Sequence, residues 1–211
     1  MYDALRKAYG PQGWWPAETP TEVAIGAILT QNTSWKNVEK AVAALKKAGM
    51  IDFRRLDAVR ESELAEIVRP AGTFRVKAGR LKALAAWVCH RSGGCLEDAL
   101  KGHLPDVRRD LLSIHGIGPE TADAILLYAG NHATFVVDAY TRRILQRHGL
   151  SRSAASYAEV QSRFERELPP EAELFNEFHA LFVELGKRHC RTHAQCDGCP
   201  LALWPHDPHA A

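Results

Sequence analysis

LLSIHGIGPETADAILLYAGNHATFVVDAYTRRILQR, residues 111–147, is the stretch from which the rest of the chain can be read. It reads as the end of one helix, a tight turn, a second helix, a loop and the start of a third. His115-Gly116-Ile117-Gly118 forms the turn, and its two glycines permit backbone angles that other residues avoid. Pro119 stands where a first helical residue would, a position that needs no amide hydrogen bond. Ala122, Ile125, Leu126 and Ala129 then recur at helical spacing. A glycine turn feeding a helix N-terminus aims N–H groups outward and suits an anion such as a DNA phosphate. The same pattern also serves a plain joint between two core helices. Further on, Phe135-Val136-Val137 is a short apolar run ending in Asp138, which by its local pattern caps the helix that starts at Ala139.

A GIG hairpin followed about twenty residues later by VVD at a helix start resembles the helix-hairpin-helix DNA glycosylases of the endonuclease III superfamily. The resemblance runs from about Trp14 to Pro200. It implies that the hairpin, with His115, Gly116, Ile117 and Gly118, grips the phosphate backbone beside a damaged base. It also implies that Asp138 stabilises the cationic sugar as the base departs and helps activate the nucleophile. Bifunctional members carry a lysine two residues after the second hairpin glycine, where this chain has Glu120. A carboxylate cannot form a Schiff base with the sugar, whereas a lysine amine can. The resemblance therefore implies a monofunctional enzyme with AP-lyase activity weak or absent. Glu120 is counted with Asp138 in the catalytic pair, although a first-turn acid is also favoured by the helix dipole alone.

Composition sets wider bounds. A chain of 211 residues, 46% hydrophobic and 25% charged, holds enough apolar material for one large domain or two small ones. The net charge of +2 is too small to imply DNA binding by itself. Arg108-Arg109, Arg142-Arg143 with Arg147, and Lys187-Arg188 are basic clusters, each of which could equally be a solvated helix face. Arg142 is the one assigned to DNA. No apolar run reaches membrane-spanning length and no signal pattern opens the chain, so a soluble intracellular protein without a membrane partner is expected; the resemblance implies a cytoplasmic, nucleoid-associated protein, and a monomer is expected.

Periodicity predicts helices over residues 2–9, from Thr19-Pro20 to Leu29, from Trp35 to about Ala48, one or two within 54–69, and then 77–90 and 105–114. Beyond the hairpin, 156–168 and 173–187 are expected to be helical. No alternation of period two argues for a strand. His179 sits beside the apolar face of the last helix and reads as a core or surface histidine rather than a ligand.

The loop Leu29-Thr30-Gln31-Asn32-Thr33-Ser34 resembles the family's duplex-probing loop, in which the residue at Gln31 plugs the gap left by an extruded base; Gln31 and Asn32 are assigned to DNA. Trp14, Trp15 and Trp35, with Glu120, resemble the 3-methyladenine glycosylase branch. There tryptophans precede the first core helix, and a lysine in roughly the region of Lys187 lines the pocket and can be carbamylated. An N-alkylated purine is cationic, and a cation against an aromatic face gains about 0.5–2 kcal/mol.

Cys190, Cys196 and Cys199 crowd the C-terminus, while Cys89 and Cys95 read as small buried hydrophobes. The family's iron–sulfur pattern is C-x6-C-x2-C-x5-C. Here the first gap is five, and Pro205 occupies the fourth place. Three thiolates at this spacing signal a [4Fe–4S] cluster with three-cysteine ligation, or zinc, or a degenerate site holding nothing. His206 is the first choice for the fourth ligand; His193, Asp197 or a water are the others.

The expected architecture is all-α with two helical lobes. Residues 19–131 form a core carrying the hairpin (114–119). Residues 1–18 with 132–211 form a second lobe carrying Asp138 and the cysteine loop (190–206). Family members bind double-stranded DNA in the cleft between such lobes. The expected activity is excision of a damaged base, an N-alkylated purine foremost. An oxidised pyrimidine or a mismatched base is the alternative substrate, and a non-catalytic damaged-DNA-binding module the alternative function.

Overall fold

The computed structural model describes residues 1–210; Ala211, the last residue of the expected second lobe, lies outside them. Among the described residues there are helices and no sheet, as the all-α reading requires. The chain divides into two compact units, Trp15–His132 and Met1–Trp14 with the chain from Ala133 onward. The first division thus falls between the two tryptophans, not at Thr19.

The Trp15–His132 unit is built around α2 (Pro20–Leu29). Thr19 caps it by accepting a hydrogen bond from the Glu22 amide at 3.2 Å. Every residue from Glu22 to Leu29 is buried, as befits a helix that is apolar on all sides and therefore central. Its one buried acid, Glu22, is met by Lys46 at 3.0 Å. Around it lie α3 (Trp35–Lys47), α4 (Phe53–Ala58), α5 (Glu61–Ile67), a 3-10 turn (Arg69–Ala71), α6 (Phe74–Ser92), α7 (Leu96–Ala99) and α8 (Leu104–Ser113). The hairpin leads into α9 (Pro119–Ala124), which continues as a π turn (Ile125–Ala129). Helix α6 begins three residues before the expected start at Lys77. The break at Pro70 is a single 3-10 turn, and Thr73, at φ 39°, restarts the helix at once. The four-residue α7 was too short to leave a periodic signal.

The other unit contains α1 (Tyr2–Tyr9), α10 (Ala139–Arg147), α11 (Tyr157–Glu167) and α12 (Ala172–Arg188). Its core is aromatic. Phe135 stacks on Phe164 with ring centroids 3.8 Å apart, and Phe175 and Phe178 meet Phe135 edge-on. Gly186 lets α12 approach α10, because a Cβ there would collide with the Tyr140 ring. Among the described residues no helix is long and apolar enough to cross a membrane.

Candidate functional site

The hairpin is braced from within. Arg108 of α8 and the fully buried Asp123 of α9 form a two-pronged ion pair, Nε to Oδ1 at 2.7 Å and Nη2 to Oδ2 at 2.9 Å. Arg108 is therefore structural, and its neighbour Arg109 pairs with Asp106 on the surface. Of the two glycines, only Gly116 needs an unusual backbone, at φ +84°, and a side chain there would strike Arg80. Gly118 is extended (φ −93°, ψ 178°), which corrects the expectation that both glycines use forbidden angles. A Cβ on Gly118 would meet nothing within 4 Å, so the protein's own packing does not require a glycine there. The Ile117 amide donates to the Ile114 carbonyl at 3.1 Å and closes the turn, so it is not available to an anion as the sequence reading supposed. His115 and Glu120 are exposed, Glu120 in the first turn of α9.

The Gln31 loop is anchored at both ends of this architecture. The buried Lys77 ammonium donates to the Leu29 carbonyl at 2.7 Å and the Ala71 carbonyl at 2.6 Å, holding the C-terminus of α2 where the loop departs. Burial lowers the Lys77 pKa. The Gln31 carboxamide is spent on the hairpin. Its Nε2 donates to the Gly116 carbonyl at 3.1 Å and to Thr121 Oγ1 at 2.9 Å, and Arg80 donates to its Oε1. Asn32, by contrast, is exposed and left-handed at φ 53°. In this geometry the loop tip is Asn32, and Gln31 ties the loop to the hairpin.

The three tryptophans fall in different units, Trp15 and Trp35 in one and Trp14 in the other. Trp15 meets Trp35 edge-on at 5.4 Å and Tyr128 at 5.3 Å, with Gly26 of α2 leaving room for its indole. Trp14 belongs to the other unit, where Lys187 Nζ lies 5.0 Å from its ring centroid. That placement puts Lys187 against an aromatic ring, in the manner of a cation–π pair. Tyr128 went unread in the sequence. The available signal was a half-exposed aromatic residue closing the buried run Ile125-Leu126-Leu127, on a π turn of the kind that often marks functional positions.

Asp138 is the N-cap of α10, and its Oδ1 accepts from the Thr141 amide at 2.7 Å. The extended segment before it has no ladder partner, so side chains of α11 satisfy its backbone. Glu165 accepts from the Phe135 amide at 3.1 Å, Gln161 donates to the Phe135 carbonyl at 2.9 Å, and the Tyr157 hydroxyl accepts from the Val137 amide at 3.3 Å. Sequence reasoning passed over these three, although Gln161 is a polar residue on an otherwise apolar helical face. The other oxygen, Oδ2, lies 3.7 Å from Nε2 of His179 on α12. His179 is 5% exposed, and burial holds its pKa below the ordinary value against the pull of Asp138, so the imidazole is neutral.

Neutral burial has a sign in the stability curve. Below about pH 6.5 the unfolded chain binds a proton that the folded imidazole resists, so stability falls as pH drops through that value. Above it His179 contributes no pH dependence. His179→Gln should therefore show a shallower loss of melting temperature between about pH 6.5 and 5 than wild type. Parallel curves for the two proteins would mean that His179 is not held neutral.

Arg142 donates through Nη1 to the Ala155 carbonyl at 2.8 Å and Arg143 through Nε to the Cys190 carbonyl at 2.8 Å, so both of these cations serve loops of their own unit. The C-terminal loop carries an isolated bridge between Cys190 and Ala194. Cys190, Cys196, Cys199 and His206 line one cavity together with Arg147, His148 and His189. Among the described residues no three His, Cys, Asp or Glu side chains converge as ligands of a single metal ion do. Burial, and then the neighbouring thiols, push the Cys199 thiol up. His206 Nδ1 donates to the Trp204 carbonyl at 2.7 Å, since a carbonyl only accepts. Tyr9 has its hydroxyl buried with no hydrogen-bond partner, and burial with the nearby Cys199 pushes its pKa up to about 12. Cys95 is exposed and Cys89 half-buried, so neither is the core residue the sequence suggested.

Comparison with known proteins identifies the family. Residues 25–170 match the HhH-GPD superfamily of base excision DNA repair proteins. A protein of Methanocaldococcus jannaschii whose name assigns it to the DNA repair glycosylases is 46% identical, over 95% of this chain and 92% of its own length. The thymine/uracil-DNA glycosylase of Pyrobaculum aerophilum is 28% identical over 95% of this chain and 87% of its own. Among solved structures, H. pylori 3-methyladenine DNA glycosylase bound to 1,N6-ethenoadenine superposes with TM-score 0.77 at 30% identity, covering 89% of this chain and 95% of that one. A trapped endonuclease III–DNA complex superposes with TM-score 0.80 at 24% identity over 95% of this chain and 90% of that one, a likeness of fold. By these matches, the chain belongs to the HhH-GPD superfamily of base excision DNA repair proteins, among its DNA glycosylases.

Proposed function

We propose that this chain is a monofunctional glycosylase that hydrolyses the N-glycosidic bond of an N-alkylated purine in double-stranded DNA, acting as a cytoplasmic monomer. The observation that carries the reading is Asp138. A helix-capping hydrogen bond fixes one carboxylate oxygen, while the other faces a neutral imidazole that does not draw off its charge. A rigid carboxylate is suited to stabilise the positive charge that develops on the sugar as the base leaves, and water then adds. Glu120 supplies no amine for a Schiff base, so the strand stays intact. The Gly118 amide and the first amides of α9 take the phosphate, with His115 beside them. Asn32 fills the vacated stack while Gln31, held on Gly116 and Thr121, keeps the loop in register. Trp15 and Trp35 stack on the extruded cationic base, and Trp14 with Lys187 contributes from its own unit. The likeness to the H. pylori 3-methyladenine enzyme supports this substrate class.

The cysteine loop fits a [4Fe–4S] cluster held by Cys190, Cys196 and Cys199, with His206 Nε2 as the fourth ligand. Three soft thiols and an imidazole lining one cavity are the donor set that an iron–sulfur centre would take. If bound, such a centre would tie Cys190, Cys196 and Cys199 together and so hold the C-terminal loop in place.

Base release tests the reading. Duplexes carrying a methylated purine, an oxidised pyrimidine or a thymine mismatch are incubated with the protein and analysed with and without alkali. Release of methylpurine, with strand breaks only after alkali, is expected. Release confined to the mismatched or oxidised base would replace the substrate class. Binding without release from any duplex would leave a damaged-DNA-binding module in place of an enzyme.

A further inference from the structure

Arg147, the last residue of α10, is 3% exposed. Its Nη1 donates to Cys190 Sγ at 3.3 Å and to the Arg191 carbonyl at 2.7 Å, and its Nη2 donates to the Thr192 carbonyl at 2.8 Å. Its Nε is buried with no hydrogen-bond partner. Among the described residues no carboxylate lies within ion-pair distance of it. A guanidinium does not lose its proton, so this is a permanent buried charge. Such a charge is costly unless an anion meets it. Carbonyls and the C-terminal end of α10 supply partial negative charge, not a full unit.

We propose that Arg147 is the built-in counter-ion of an anionic metal–thiolate centre at Cys190, Cys196 and Cys199. This rests on the reading that the loop holds such a centre, and it goes further by naming what balances the charge. Three thiolates gathered on metal leave net negative charge in the cavity that Arg147 lines. The Nη1 donation to Cys190 Sγ is the contact that charge would strengthen, and the unpartnered Nε is a donor waiting for an acceptor in the same place. Arg147 is thus a positioning residue for the centre, acting through Cys190, with no part in base release.

A simple brace would behave differently, and the difference lies in the sign of one effect. The full chain is purified without metal and also reconstituted anaerobically with iron and sulfide, as wild type, Arg147→Met and Arg147→Lys. Melting temperature, bound iron and zinc, and visible thiolate-to-iron absorption are recorded for each form. Without metal, Arg147→Met should melt at or above wild type, because an uncompensated buried charge has been removed. With metal it should melt below wild type and lose iron to a chelator roughly ten- to hundred-fold faster. Arg147→Lys, which keeps the charge without the planar fork, should fall between and decides the matter if the Met variant does not fold. Equal destabilisation of both forms would make Arg147 a brace and overturn the proposal. A wild type that takes up neither iron nor zinc would overturn the metal-centre reading along with it. Wild-type loading that Arg147→Met matches in firmness would overturn the counter-ion role alone.

Discussion

Asp138→Asn is expected to bind damaged duplex as wild type does and to release base roughly 10²–10³-fold more slowly, the scale seen when one preorganised electrostatic group is removed. The substitution is nearly isosteric. Its amide oxygen can still accept from the Thr141 amide, so the α10 cap and the fold should survive. What disappears is the negative charge, and only the step that develops positive charge on the sugar should feel its loss. Single-turnover release on a methylpurine duplex, read beside a binding titration, separates the two effects. Undiminished release by the variant would remove Asp138 from the chemistry.

Glu120→Lys should convert the outcome of the reaction. It places a primary amine in the first turn of α9, where the carboxylate is now exposed. An amine there can attack the sugar and form a Schiff base that borohydride reduces to a stable cross-link. Wild type should give no cross-linked species and breaks only after alkali; Glu120→Lys should give a trapped complex and breaks without alkali. Trapping by the unaltered protein would show that another amine, Lys187 foremost, already reaches the sugar. Helix α9 should tolerate the change with a loss of a few tenths of a kcal/mol, since a cation replaces an acid near the N-terminal end of the dipole.

The two variants probe residues of opposite legibility. Asp138 could be read directly, because an N-cap is a local device: an apolar run, an acid and a helix start declare it within a few residues. Glu120 could be read only as a lysine missing from a pattern. The same division runs through the fold. The caps at Thr19 and Asp138, the proline after the hairpin and the long periodic run of α12 appear where local chemistry places them. The early start of α6 and the four-residue α7 escape a periodicity reading because each depends on one or two residues at a turn.

The amino-acid sequence by itself determined the helical class, the hairpin, the candidate acid and the spacing of three cysteines, all of which act over one or two turns of chain. Only the tertiary structure decided which partner each polar group takes. Gln31 carries nothing in its neighbourhood to say that its amide belongs to Gly116 and Thr121, 85 and 90 residues away. Lys77 marks only an expected helix start in the sequence, and the structure buries it between two carbonyls. The Trp14-Trp15 pair reads as one aromatic feature until the chain divides between them. Arg147 reads as part of a basic cluster until burial removes it from water. The physical reason is common to all four: periodicity reports which face of an element is apolar, but a polar group's free energy depends on what meets it after desolvation, and distant segments supply that partner.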